Sequence, residues 1–231
     1  MTSLLAIDTS STNCSVALLH NGSCNIKQSG QPRQAAQLIL PMIQQLLDAS
    51  KIGLAQLDAI TVIAGPGSFT GLRIGIGVVQ GLSMANNTAV IPISALAVMA
   101  MAACRQGPGE SWLVAQVARE TEIYIGAYRR DSAAGVVLLG QELAIDVSNA
   151  VELRKLGDQL PGPWHGVGDG WINLRESIEA GLGAKLESCL LDPGVEVGDL
   201  CALAQIRLDR GEVVDSRLVL PNYVKDELDY S

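Results

Sequence analysis

Aromatic side chains are scarce in this chain: they make up 3% of the 231 residues, and Phe69 is the sole phenylalanine. So few rings offer no stacking platform for unpaired bases. Positive charge is also short. The chain has 16 Lys and Arg against 24 Asp and Glu, a net charge of −8. That balance argues against gripping nucleic acid through the chain's own phosphate contacts. The two histidines, His20 and His165, lie far apart, and the five cysteines (Cys14, Cys24, Cys104, Cys189, Cys201) include no CxxC pair. No metal site and no catalytic Ser/His/Asp or Cys/His set is therefore expected. Long hydrophobic runs are missing as well, because Gly, Gln or Arg interrupts each helical candidate. No membrane span is expected, and the start shows no basic-then-apolar leader pattern. These features together read as a reduced, cytoplasmic protein whose cysteines are small core fillers.

What is present is apolar and glycine-rich: 48% hydrophobic, 17% charged, with 24 Gly. Leu4–Asp8 and Cys14–Leu19 are short strand patterns, and Asn21-Gly22 is a hairpin turn that returns Cys24–Gln28 as a third strand. Helical patterns follow at 33–50 (after Pro32), 70–86 and 94–105, with strands at 58–64 and 89–93. Gln106-Gly107-Pro108-Gly109 is the clearest break, and beyond it the meander restarts: Leu113–Val117, a turn, Ile123–Tyr128, then 136–145. An offset of 109 residues lays Asp8 on Val117 and Val16 on Ile125. The pattern predicts a duplicated two-lobe α/β protein, each lobe a mixed sheet flanked by helices. Residues 1–107 would form the N-terminal lobe and 108–195 the second. A helix at about 197–211 would pack back on the first lobe, and 212–231 would be an extended tail.

Three segments are candidates for function. Asp8-Thr9-Ser10 sits at a strand-to-turn junction. There a carboxylate can hold a metal-bound water and the hydroxyls can receive a phosphate, or all three can simply hydrogen-bond the hairpin. Gly65-Pro66-Gly67-Ser68 leads from a strand into a helix. Such a turn can admit a phosphate, or can be a tight turn with Ser68 or Thr70 as N-cap. The spacing matches neither a Walker loop nor GxGxxG.

The third segment is a pair of helices with more apolar surface than a single core requires. One carries two stripes, Ala35/Ile39/Met42/Leu46 and Ala36/Leu40/Ile43/Leu47, with Pro41 expected to kink or break it. The other is apolar nearly all round, with Leu72, Ile76 and Val79 between Gly71/Gly75 and Gly77/Gly81. Glycines four apart allow close approach of another backbone on two faces. The surplus is either a wide core face buried within the lobes or a helical bundle with a partner through Ile39, Met42, Ile43, Leu46, Leu72, Gly75, Ile76 and Val79. On the bundle reading Gly75→Leu or Gly81→Leu abolishes binding and leaves the monomer folded. The position matching Asp8 in the second meander is Val117, which neither binds metal nor acts as a base.

Leu5-Ala6-Ile7-Asp8-Thr9-Ser10 and Gly65-Pro66-Gly67-Ser68-Phe69-Thr70-Gly71-Leu72-Arg73-Ile74-Gly75 resemble the TsaB (YeaZ) family. Ala118-Arg119, Glu122-Ile123-Tyr124, Val167–Trp171 and Pro221–Lys225 match its later landmarks. The resemblance implies a ribonuclease-H-like fold of the acetate and sugar kinase/Hsc70/actin superfamily. It also implies a non-catalytic partner of TsaD in making threonylcarbamoyladenosine in tRNA, next to the anticodon of tRNAs reading A-starting codons. In that system TsaD carries the metal and most of the tRNA contact, and TsaE is an ATPase. TsaB holds TsaD through a helical bundle or pairs with itself, and ATP or ADP is expected only at the interface of the complex. Departures from the family pattern are Ala35, Val117, Thr121 and Lys225, and Ser94, Ala95 and Met99 stand where TsaD has metal ligands. The alternative reading is a small ATP-dependent kinase or phosphatase using Asp8 and the Gly65–Ser68 turn.

Overall fold

The structure, a computed structural model, describes residues 2–30, 33–107, 109–160, 162–193, 195–222 and 224. Pro32, Tyr223, Lys225 and the remainder of the tail lie outside them. The strands are β1 (Ser3–Asp8), β2 (Ser15–His20), β3 (Ser23–Gln28), β4 (Ala59–Gly65), β5 (Ala89–Ser94), β6 (Ser111–Val117), β7 (Glu122–Asp131), β8 (Gly135–Asp146), β9 (His165–Val167) and β10 (Ser188–Leu190). The helices are α1 (Ala35–Ser50), α2 (Phe69–Asn86), α3 (Ala95–Gln106), α4 (Ala150–Gln159), α5 (Gly170–Asn173), α6 (Arg175–Leu182) and α7 (Val197–Asp209).

The two sheets have the same plan. The first runs β3-β2-β1-β4-β5 and the second β8-β7-β6-β9-β10. In each, three antiparallel meander strands are followed by two parallel ones. Asp8 ends β1 and Val117 ends β6, as the 109-residue offset requires. The expected duplicated α/β architecture is present. The strands β9 and β10 have only three residues each, too few to show alternation in sequence.

One compact unit is residues 1–95 with 196–222, and another is 96–195. The boundary falls earlier than the Gly107–Gly109 break. Most of α3 belongs to the second unit because the carbonyls of Cys104 and Gly107 accept from the Arg130 guanidinium of β7. In the first unit α7 lies against β1, β2, β4 and β5. The tail is not simply extended. Val214 bridges Val90, Ser216–Leu218 makes a 3₁₀ turn, and the Asn222 N–H donates to the Ala64 carbonyl (2.7 Å).

Helix α1 runs unbroken through Pro41, contrary to the expected kink. Pro41 and Gln37, whose carbonyl would otherwise receive an N–H at position 41, are both exposed, so the freed acceptor can be hydrated. Helix α2 packs on β4 and is seated against the turn after β1 by two glycines. A Cβ at Gly71 would overlap the Thr9 carbonyl, and one at Gly75 the Thr9 hydroxyl, which itself donates to the Gly71 carbonyl at 2.7 Å. Gly77 and Gly81 instead face open space. Gly71→Ala or Gly75→Ala is therefore expected to cost about 2–3 kcal/mol. Gly77→Ala, free of clashes in a helix interior, is expected to gain about 0.5–1 kcal/mol. Urea melts of the three variants test this, and equal effects at inner and outer positions would contradict it.

Candidate functional site

The residues expected to bind a partner are mostly the first unit's own core. Ile39, Met42, Ile43, Leu46, Leu72, Ile76 and Val79 are between 0% and 7% exposed, and Gly75 is buried. These side chains cannot meet a partner without unfolding the lobe, and Gly75→Leu would disrupt the monomer rather than spare it. The amphipathic pattern identified the apolar positions but not which of them the sheet claims. The inner arc of α1 (Ile39, Met42, Ile43, Leu46, Leu47) packs with Leu5, Val16 and Leu18 of the meander. What remains outside is narrower: Ala36, Leu40 and Pro41 of α1, and Phe69, Arg73, Gly77, Gly81 and Met84 of α2.

This outer face has the makings of a contact surface. Leu40 is 52%, Phe69 51% and Met84 69% exposed. The Arg73 guanidinium stacks over the Phe69 ring, 3.7 Å from its centroid. Arginine and aromatic anchors dominate binding energy at interfaces. Beside them, the open Gly77/Gly81 pair lets a second helix come close. Of the two glycine faces of α2, one meets the turn after β1 and the other meets solvent.

At the N-terminal ends of α1 and α2 lies a groove of about 480 Å³, lined by Thr9, Ser10, Ser11, Thr12, Arg33 and Ser68 among others. Ser68 caps α2 by accepting the Gly71 N–H (3.2 Å), and Arg33 supplies the positive charge. Of the six residues expected at a phosphate site, Thr9, Ser10 and Ser68 reach this groove; Asp8, Gly65 and Gly67 do not line it. The Asp8 carboxylate accepts both the N–H (2.8 Å) and the hydroxyl (2.7 Å) of Ser10 on one oxygen, Oδ1. That is the hairpin-bracing role left open in sequence. Gly65, at φ 131°, and Gly67 make room for the chain itself. A Cβ on the first would come within 2.6 Å of the Asn222 carbonyl, and on the second within 2.7 Å of the Ser10 carbonyl.

Both histidines do have serine partners, a correction to the motif-level expectation. Ser3 Oγ lies 2.8 Å from His20 Nδ1, and Ser188 Oγ lies 2.8 Å from His165 Nδ1, with Glu187 3.5 Å from Nε2 of the same ring. Each Ser–His pair is a register pair across adjacent strands. Each serine sits on extended backbone with no helix N-terminus behind it, so these are ladder contacts rather than nucleophile–base pairs. Sequence spacing did not reveal the Ser188–His165 pair because β9 and β10 were not visible as strands. In the second unit the Asp169 carboxylate accepts the Val117 N–H (2.8 Å), and the buried Trp171 indole donates to the Leu113 carbonyl (3.1 Å). The Val167–Trp171 landmark therefore closes the end of β6. The cysteines are not uniformly core fillers, since Cys24 is exposed.

Burial raises the Asp8 carboxyl above its ordinary range, against the lowering effect of its two Ser10 hydrogen bonds. The folded chain holds a proton there that the unfolded chain releases first. The associated stability is fully present below the unfolded carboxyl range and is lost as pH rises through the folded value. Asp8→Asn keeps the Oδ1 acceptor and removes the charge. It is expected to melt a few degrees above the parent at neutral pH, with the gap closing on acidification below about pH 4. A lower melting temperature for the variant at neutral pH would contradict this.

The chain matches the family TsaD: tRNA N6-adenosine threonylcarbamoyltransferase over residues 30–160. It is 39% identical to the tRNA threonylcarbamoyladenosine biosynthesis protein TsaB of Escherichia coli (strain K12), over 97% of this chain and 95% of that protein. The TsaB of Haemophilus influenzae is 45% identical over 55% of this chain and 54% of its own length. Among solved structures, YeaZ from Pseudomonas aeruginosa superposes with a TM-score of 0.82 at 35% identity, covering 96% of this chain and all of that one. No described helix is long and apolar enough to cross a membrane. The chain belongs to the TsaB (YeaZ) family, whose relatives above are named for tRNA threonylcarbamoyladenosine biosynthesis.

Proposed function

We propose that this chain is a non-catalytic subunit that binds and activates TsaD for threonylcarbamoyl transfer to the adenosine next to the anticodon of tRNAs reading A-starting codons. The observation that carries this reading is the outer face of α2. An 18-residue helix with two exposed glycines one turn apart, flanked by exposed Phe69, Arg73 and Met84, is poorly suited to solvent and well suited to a partner helix. Exposed Leu40 extends that face onto α1. Alone, the chain uses the same face to pair with itself, and TsaD displaces the second copy.

A scaffold role is also supported by what the polar turn at Asp8 does. Asp8 is engaged in bracing Ser10, and its counterpart in the repeated lobe is Val117. Transfer chemistry is assigned to TsaD, and TsaE joins through the complex. The net charge of −8 fits a chain that leaves most of the tRNA to its partner. ATP or ADP, where it takes part, is placed at the interface of the complex, with the Thr9–Ser10–Ser68–Arg33 groove as this chain's contribution. All of these steps belong in the cytoplasm.

Gly77→Leu and Gly81→Leu test the reading. Each adds bulk to open space, so both variants are expected to keep the parent's circular dichroism. Sizing with light scattering against the host's TsaD, with and without ATP, should show association weakened by at least about tenfold (1.4 kcal/mol). Parent-like association of both variants would overturn the docking face, and no association of the parent alongside ATP turnover by this chain alone would favour a small-molecule kinase or phosphatase.

A further inference from the structure

Five thiols occur in the chain, and three of them are chemically quiet. Burial pushes the Cys14 thiol up to about 11, helped by the nearby Asp8 charge, and burial likewise raises Cys104 and Cys189. Cys24 differs in both setting and partner. It lies on β3, at the edge of the first sheet, and is exposed. Helix α7 packs against that strand. A Cβ at Gly198 of α7 would lie 3.8 Å from the Ile26 side chain. Moving two residues along β3 from Ile26 reaches Cys24 on the same face, and moving three along α7 from Gly198 reaches Cys201. The two thiols meet there and share a hydrogen bond, with Cys201 only 3% exposed.

We infer that Cys24 and Cys201 form a peroxide-responsive thiol pair that closes into a disulfide between β3 and α7. The Cys201 S–H donates to the Cys24 sulfur, which lowers the Cys24 thiol to about 7 and raises that of Cys201. Cys24 therefore ionises more readily than an ordinary thiol and lies on an accessible edge strand, the setting in which cysteines oxidise. The oxidant is hydrogen peroxide. In the first step the Cys24 thiolate attacks one peroxide oxygen: an S–O bond forms, the O–O bond breaks, and the released hydroxide takes up a proton to leave as water. In the second step the Cys201 sulfur attacks the Cys24 sulfur. An S–S bond forms, the S–O bond breaks, and the Cys201 proton leaves on the departing hydroxyl as a second water. Two thiols are oxidised by two electrons in total, and peroxide is reduced to two waters.

Residues 24 and 201 flank the whole second unit in sequence yet belong to the same compact unit in space. The bond would therefore pin the returning C-terminal segment to the opening meander, and a crosslink closing so long a loop restricts the unfolded chain strongly.

The reduced full-length chain, treated with hydrogen peroxide near neutral pH, capped with N-ethylmaleimide and digested without reductant, provides the test. Mass spectrometry is expected to find a Cys24–Cys201 peptide pair lighter by two hydrogens and released by dithiothreitol. Cys24→Ser should abolish it. In Cys201→Ser the Cys24 sulfenic acid should persist long enough for dimedone to trap it. Iodoacetamide should alkylate Cys24 of the parent at least roughly tenfold faster than Cys104 or Cys189. The Cys24→Ser substitution lies on an exposed edge strand and leaves the core intact, so a fold defect does not obscure that control. A parent chain in which Cys24 stays reduced, stays dimedone-reactive, or links to another molecule instead of Cys201 would overturn the proposal.

Discussion

The seat of α2 on the turn after β1 organises the first unit. Thr9 enters the space left by the missing side chains of Gly71 and Gly75, and its hydroxyl donates to the Gly71 carbonyl. That contact brings Ser10 against Gly67, where the Ser68 N–H donates to the Ser10 carbonyl at 2.7 Å. The turn from β4 into α2 is thereby fixed against the turn from β1 into β2. With the helix held at this distance, Leu72, Ile76 and Val79 are driven into the sheet. Phe69, Arg73, Gly77, Gly81 and Met84 are left outward as a consequence. The exposed face is thus a by-product of the same glycine periodicity that builds the core.

Duplication gives the chain two copies of one topology, and the copies have diverged where chemistry would sit. In the first, the strand-end carboxylate of Asp8 is occupied by Ser10 and pushed toward its neutral form by burial. In the second, Val117 takes the equivalent place and its N–H is held by Asp169 from the following landmark loop. Each lobe thus keeps its closing hydrogen bonds and uses its polar groups within the fold. A shared fold does not by itself carry an activity; here the polar turn serves the fold while an outer helical face is exposed.

Much of the architecture was legible in the residues. The Asn21-Gly22 turn located the first meander, the 109-residue offset located the second, and the 197–209 pattern located α7. Periodicity also found the apolar helices, but it could not separate the arc buried by the sheet from the arc left outside, because both contain the same residue types. That is why Ile39, Met42, Ile43, Leu46, Leu72, Gly75, Ile76 and Val79 were assigned to a partner when they serve the core. The glycines carried the missing information, since only their surroundings tell Gly75 from Gly81. The short strands β9 and β10, and with them the Ser188–His165 pair, depend on long-range register that no local pattern encodes. The Cys24–Cys201 pair was hidden in the same way, by a separation that only folding removes.

On the proposed function, TsaD docks on the outward face of α2 and its neighbour on α1. Carbene footprinting of the dilute chain, free and with the host's TsaD, tests it most directly. Labelling of Leu40, Phe69, Arg73 and Met84 is expected to fall on complex formation, while the second unit's exposed Val137 and Val151 keep their labelling. Unchanged labelling along α1 and α2 in a complex that sizing shows to have formed would contradict it.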